Sequence, residues 1–289
     1  MVRRGKQETT PKHVHMRSLR RAAILSVLPL ATALFAAAPA GSATAAGAST
    51  PAQYHRLLLP FGANKSNNWS GYNQGTLEQG SKLFSQISGD WNVPTATQHK
   101  AGEAENSSSW IGIGGGCVDT GCTVPDPTLI QTGTEQDVAA NGTPSYSAWW
   151  EIIPAPSLTI STMSVHPGDH MHANIAELVP LTELWTITIQ DVTTGQSFSQ
   201  TVPYPSTHLT AEWITETPTL IGTSGTSLAA MPNLSGATFS SAKTNSAAAG
   251  LKASEEIQLV NTNGQVLATP SAPNSTADGF SVCTYATSC

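Results

Sequence analysis

The chain has 289 residues, only 11% of them charged, with 13 Lys+Arg against 19 Asp+Glu and a formal net charge of −6 at pH 7. Seven of the bases and one acid lie before residue 46, so the remainder carries 6 basic residues against 18 acidic ones, a balance of −12. Such a surface repels nucleic acid and anionic membranes, which excludes both as partners, and the shortage of bases limits positive self-repulsion once carboxylates protonate, which suits work in acid.

At the N-terminus, Arg3, Arg4, Lys6, Lys12, Arg17, Arg20 and Arg21 precede an apolar run over residues 22–38 and the small-residue step Ala43-Thr44-Ala45. This is the pattern of a secretory signal peptide, and the run is too short and too rich in alanine for a permanent anchor. Residues 1–45 are therefore expected to be removed on export, leaving a secreted protein without membrane attachment. Residues 46–66 are small and polar around Leu57-Leu58-Leu59-Pro60-Phe61 and read as a linker or short pro-segment. Residues 67–289 are long enough for one β-sandwich domain, expected to be a monomer.

Within that span the hydrophobic pattern has a period of two. Trp185, Ile187 and Ile189 alternate with polar neighbours, and Thr194-Gly195 then turns the chain into residues 198–202, a hairpin. A second hairpin runs from Ile257–Val260 through Asn263-Gly264 into residues 265–268, because Asn-Gly accepts the positive φ of a tight turn. With further strands expected over residues 157–165 and 171–177, and no more than a helical turn near 228–231 or 246–253, the fold class is all-β: an antiparallel sandwich of two sheets. The four cysteines fall into two near pairs, Cys117 with Cys122 and Cys283 with Cys289, and predict two local disulfides in an oxidising compartment. Zinc would need a matching second half-site or a nearby histidine, so no metal or cofactor is expected.

In a chain so poor in charge, acids among aromatic residues stand out: Glu151 in Ala148-Trp149-Trp150-Glu151, Glu212 in Ala211-Glu212-Trp213-Ile214, and Glu135 shortly after Gln131-Thr132-Gly133. Burial beside an indole disfavours the carboxylate and raises its pKa, which is how a carboxyl group becomes an acid/base catalyst. The plainer reading is an outward strand acid beside an inward Trp, since strand neighbours face opposite ways. Ser224 lacks the spacing of a nucleophile elbow and sits in a Gly/Ser turn. His166, His170 and His172 surround a Pro-Gly-Asp turn and read as solvated. Trp69, Trp91, Trp110, Trp149, Trp150 and Trp213 supply either core or a groove for an extended ligand.

In order, Asn68-Trp69-Ser70-Gly71, Trp91-Asn92-Val93-Pro94, Trp110-Ile111-Gly112-Ile113, Leu129-Ile130-Gln131-Thr132-Gly133, Ala148-Trp149-Trp150-Glu151, Thr194-Gly195-Gln196, Ala211-Glu212-Trp213-Ile214 and the Asn263-Gly264 hairpin resemble the glutamic peptidases, or eqolisins. The resemblance implies a lectin-like sandwich with a substrate cleft on the concave face of one sheet, and an acid-acting secreted endopeptidase that cleaves polypeptides and resists pepstatin. It implies Gln131 and Glu212 as the catalytic pair, with Trp110, Trp149, Trp150, Glu151 and Glu135 lining the cleft. Glu212, ionised in the free enzyme, would take a proton from an attacking water and return it to the leaving amine. The Gln131 amide would donate to the oxyanion without needing to titrate. Fungal members carry aspartates where this chain has Gly114, Ser147 and Glu135, which predicts weaker like-charge coupling and a less extreme acid optimum. Two other functions compete: a glycoside hydrolase or lyase using two carboxylates such as Glu151 and Glu212, and a carbohydrate-binding module without catalysis.

Overall fold

A computed structural model of the chain describes residues 52–56, 64–222 and 225–289. The expected signal peptide, the knot at 57–61 and Ser224 lie outside the described residues. In chain order the main strands are β1 (Ala52–Tyr54), β2 (Trp69–Gly75), β3 (Gln86–Asn92), β4 (Ser108–Gly114), β5 (Leu129–Val138), β6 (Pro144–Ile152), β7 (His170–Glu177) and β8 (Leu184–Asp191). They continue as β9 (Ser197–Pro203), β10 (Thr210–Glu216), β11 (Thr219–Gly222), β12 (Gly225–Leu228), β13 (Ala237–Thr244), β14 (Glu256–Val260), β15 (Val266–Pro270) and β16 (Phe280–Thr284).

β1, β11 and β12 form a small three-stranded sheet, and the other strands make two large antiparallel ones. One has the order β14-β2-β10-β4-β5-β6, the other β9-β8-β7-β3-β13-β16-β15, and they are joined where β14 pairs with both β2 and β15. Period-two sequence explains the layering: Tyr72, Ile111, Ile113, Ile130, Ala148 and Trp213 of the first sheet pack against Ile87, Trp91, Ile175, Ile187 and Phe239 of the second in one core. Two indole N–H groups bridge the layers, Trp213 donating to the Ser88 carbonyl at 3.0 Å and Trp91 to Thr134 Oγ1 at 3.0 Å. Buried Trp and Tyr tend to find such partners because an unmet donor is costly away from water.

Both expected hairpins form: β8 pairs with β9, and β14 with β15. Cys117 is bonded to Cys122 and Cys283 to Cys289. One expected strand does not persist. Residues 157–165 give only the two-residue strand Leu158–Thr159, because burying both Ile160 and Met163, three apart, requires the turn closed by the Met163 amide on the Ile160 carbonyl at 3.1 Å. Helical structure among the described residues is one 3-10 turn, Ala253–Glu255.

The described residues form one unit that reaches back past Asn67. β1 pairs antiparallel with β11, Ala52 opposite Ile221 and Tyr54 opposite Thr219, so part of the expected linker is built into the domain.

Candidate active site

The face of the first sheet turned away from the shared core has its own apolar patch of Trp69, Trp110, Leu129, Trp149, Ile214 and Ile257. Around it the strand register lines polar residues into rows. Asn73, Glu212, Gly112, Gln131 and Glu151 stand side by side on five adjacent strands. The next row holds Ile214, Trp110, Gly133 and Trp149, and the one beyond it Glu216, Ser108, Glu135 and Ser147. Six of the seven residues expected at the site therefore share one face. Trp150 is the exception: it lies between Trp149 and Glu151 on β6, points the other way, and packs against the inter-sheet core.

Glycines shape the rows. Gly112 separates Glu212 from Gln131, two strands apart, and a Cβ on it would press on Leu129 Cδ1 and Trp110 Cζ3, both at 3.0 Å. Gly133 lets the Trp110 side chain lie flat across β5, and a Cβ there would stand 2.4 Å from both the Ser109 carbonyl oxygen and Trp110 Cβ. Because the obstacle includes backbone, Gly133→Ala is expected to lower stability by about 1–3 kcal/mol. Urea unfolding measures this, and an unchanged midpoint would refute the steric argument.

Gln131 and Glu212 are both fully buried. Glu212 lies against Gly116, the residue just before the loop that the Cys117–Cys122 bond closes. Asn73 clamps that loop, its amide donating to the Cys117 carbonyl at 2.8 Å and its oxygen accepting from the Cys117 amide at 2.9 Å. Gly116 consequently approaches so closely that a Cβ on it would lie 2.5 Å from Glu212 Oε1. Among the described residues neither Glu212 oxygen has a hydrogen bond of ordinary geometry. Burial pushes its pKa well above the ordinary range, and the nearby Thr210 hydroxyl and Gly116 amide offset this only in part. Desolvation thus favours the neutral carboxyl of Glu212, where the resemblance implied an ionised one.

The remaining acids are affected in the same way. Burial raises Glu151 to about 7, with the neighbouring His55 acting in the opposite direction. It raises Glu135, with the charge of Asp137 adding to the effect. Glu216, which sequence reasoning missed, is also fully buried and raised well above the usual value by desolvation, while the Trp110 indole N–H donates to its Oε2 at 3.0 Å. The signal for Glu216 was present: 212, 214 and 216 alternate onto one face of β10.

The other missed residue is His55, assigned to the linker. Its ring is fully buried, stacks on Trp149 with centroids 3.8 Å apart and planes 10° apart, and places Nδ1 2.6 Å from Glu216 Oε1. Its backbone amide donates to Glu151 Oε2 at 3.1 Å. Its carbonyl accepts from Gln131 Nε2 at 2.7 Å, and the same nitrogen donates to Glu151 Oε2 at 2.7 Å. Gln53 donates to Asp137 at 3.0 Å, and the Arg56 carbonyl accepts from Asn68 Nδ2 at 2.6 Å. Residues 52–56 thus lie across this face as an extended peptide would.

The histidines 170 and 172 sit elsewhere, on β7, both directed at Asp90, with His170 Nε2 3.9 Å away. Glu151 and Glu212, the pair a glycosidase would need, stand three strands apart with Gln131 between them.

Comparison with known proteins gives a consistent set. The model of the Peptidase A4 family matches residues 67–282. Aspergillopepsin-2 of Aspergillus niger is 26% identical over 202 residues, covering 63% of this chain and 65% of its own length. Scytalidopepsin B of Scytalidium lignicola is 29% identical over 187 residues, covering 62% of this chain and 64% of its own. The chain therefore spans slightly under two thirds of the length of these relatives. Scytalido-glutamic peptidase, solved with a transition-state analogue inhibitor, superposes with a TM-score of 0.56 at 20% identity over 75% of this chain and 98% of that one, a likeness of fold.

Proposed function

From the premise that the chain belongs to the Peptidase A4 family, we propose that it is an exported endopeptidase that hydrolyses peptide bonds in acid with Gln131 and Glu212 as its catalytic pair. One observation carries this reading: the Gln131 amide already holds a peptide carbonyl, that of His55, at 2.7 Å. An amide that donates to a ground-state carbonyl donates more strongly to the oxyanion formed when water adds, and being neutral it keeps its proton at every pH of interest. Its second N–H is held by Glu151, which fixes the side-chain orientation.

Glu212, in the same row on the far side of Gly112, is the base that takes the water's proton and the acid that returns it to the leaving amine. Its raised pKa suits the second role directly. The first requires the carboxylate, and water entering the cleft with substrate weakens the desolvation that keeps it neutral. Residues 52–56 cover Gln131 and have to move before a substrate carbonyl takes its place. Residues 46–66 accordingly act as a pro-segment.

The test is to incubate the exported chain with a denatured protein at about pH 3 to 5, where an acid/base carboxyl of this kind works, and to follow new amino termini. Cleavage that persists with pepstatin supports the reading. No cleavage anywhere in that range would overturn it.

A further inference from the structure

We propose that Asp126 is a positioning residue for Glu212, clasping Gly116 against it and presenting a negative charge to it across that glycine. The inference rests on the peptidase reading above and deepens it by naming what holds and tunes the acid/base group.

Asp126 lies on the connection between β4 and β5 and is only 4% exposed. Its backbone amide donates to the Gly116 carbonyl at 2.8 Å. Gly116 in turn donates to Thr210 Oγ1 at 3.2 Å, on the strand that carries Glu212, and stands so near Glu212 Oε1 that it leaves no room for a Cβ. Asp126 and Glu212 are therefore held against the same residue. The Asp126 carboxylate closes the arrangement: Oδ1 accepts from the Thr128 amide at 3.0 Å and the Thr128 hydroxyl at 2.9 Å, and Oδ2 accepts from the Thr207 hydroxyl at 2.5 Å. One side chain thus ties the β4–β5 connection to the segment leading into β10.

A simple turn would ask for less. The bonds from Thr128 to Oδ1 form an Asx-turn, which asparagine makes equally well. The bond from Thr207, 81 positions away, uses the second oxygen as an acceptor, a part that an amide nitrogen cannot play. Three hydrogen bonds accepted and none donated are what a charged carboxylate makes. The titratable groups on neighbouring elements do not offset that charge. Glu216 lies further along β10, Glu151 beyond Gln131 on β6, and Glu78, Asp119 and Glu255 beside Asn73 and Cys117. Tyr204 accepts from the Leu129 amide at 2.6 Å, and His208, next to Thr207, is turned to Glu177 Oε2 at 3.2 Å.

Burial comes first among the causes that raise the pKa of Glu212, and the charge of Asp126 adds to it. Away from water such a like charge is little screened. It makes Glu212 the stronger base, which favours capture of the proton from the attacking water.

The experiment assays the exported wild-type chain, Asp126→Asn and Thr207→Val on one peptide substrate from about pH 2 to 7, where the acidic limb of kcat/KM reports ionisation of the base in the free enzyme. Thermal transitions check that each variant folds. With the charge removed, Glu212 ionises at lower pH, so Asp126→Asn should move the limb to lower pH and raise activity on it about three- to tenfold relative to the optimum. Thr207→Val, which loses the clasp bond but keeps the charge, should leave the limb in place. Should Asp126→Asn not fold, Asp126→Ser, whose hydroxyl can take over the turn, gives the same reading. An unmoved limb in a folded charge-removing variant would overturn the role of Asp126 and leave the peptidase reading standing. So would an equal displacement by Thr207→Val, which would reduce Asp126 to a structural clasp. Failure of the wild-type chain to cleave any peptide would sink both.

Discussion

Glu212→Gln is expected to lower kcat/KM on a denatured protein by about 10²- to 10⁴-fold, the range that a positioned acid/base group contributes. The same change should leave the fold intact. Glu212 is fully buried and its carboxyl is held neutral by desolvation, so glutamine replaces a neutral side chain by a neutral one of nearly equal shape. At neutral pH, where the native carboxyl comes under pressure to ionise in a buried site, the variant should be at least as stable as the wild type. Activity lost together with a raised or unchanged thermal midpoint is the expected result. A Glu212→Gln variant that cleaves as fast as wild type would refute the catalytic assignment.

Gln131→Ala removes the proposed oxyanion donor and should cost on the order of 10²- to 10³-fold in kcat. It also frees Glu151 Oε2 and the His55 carbonyl, both partners of the same nitrogen. The variant should therefore hold residues 52–56 less tightly as well as reacting more slowly. The two effects separate on a short peptide substrate under saturation, where only the chemical loss persists in kcat.

The second large effect is on stability against pH. A carboxyl whose pKa is higher in the folded chain than in the unfolded one binds its proton more tightly when folded, so its contribution is complete below the unfolded pKa and is lost as pH rises through the folded one. Glu151 moves from 4.5 to about 7. At about 1.4 kcal/mol per unit, that residue alone contributes roughly 3 kcal/mol in acid that is gone above neutrality. Glu135, Asp137, Glu212 and Glu216 all shift in the same direction through burial. Against a typical total of about 5–15 kcal/mol for a folded domain, this domain should unfold at clearly higher temperature near pH 4 than near pH 7.

His55 carries the opposite sign. Burial lowers its pKa below 6.5, with Glu151 and Glu135 opposing the shift, so its contribution is complete above about pH 6.5 and is lost as pH falls. The consequence is spatially divided: acid tightens the sheet that holds the carboxyls and loosens the segment that covers it. Thermal unfolding by circular dichroism from about pH 3 to 8 reads the first effect, and amide exchange at His55 reads the second. A midpoint that rises steadily from pH 4 to pH 7 would show that the carboxyl cluster is not protonated in the fold.

How far the site could be read in advance differs residue by residue, for physical reasons. Glu212 and Glu151 stood out because each sits beside indoles in a chain with few charges, and burial of both follows from that setting. Gln131 carried no such mark. An amide in a Thr/Gly context has no titration to perturb, and only the family resemblance singled it out. Trp150 was placed in the cleft with Trp149, although strand alternation puts the two on opposite faces. Glu216 and His55 were missed for different reasons. Glu216 needed only the period of β10 to be followed two steps further. His55 could not have been found that way, because its partners are 96 and 161 positions distant in the chain.

The amino-acid sequence by itself determined the elements: period-two strands, Asn-Gly and Thr-Gly turns, two short-range cysteine pairs and acids set among tryptophans, all of them matters of local spacing and burial preference. It also determined the acidic balance from which no nucleic-acid partner is expected. Tertiary structure decided which of those residues meet. Sheet register brought Glu212, Gly112, Gln131 and Glu151 into one row from four separate strands, and pairing of β1 with β11 drew His55 onto Trp149 and Glu216. Local sequence specifies which way a strand faces, but its neighbour and the segment that crosses it are settled only by the free energy of the assembled sheet.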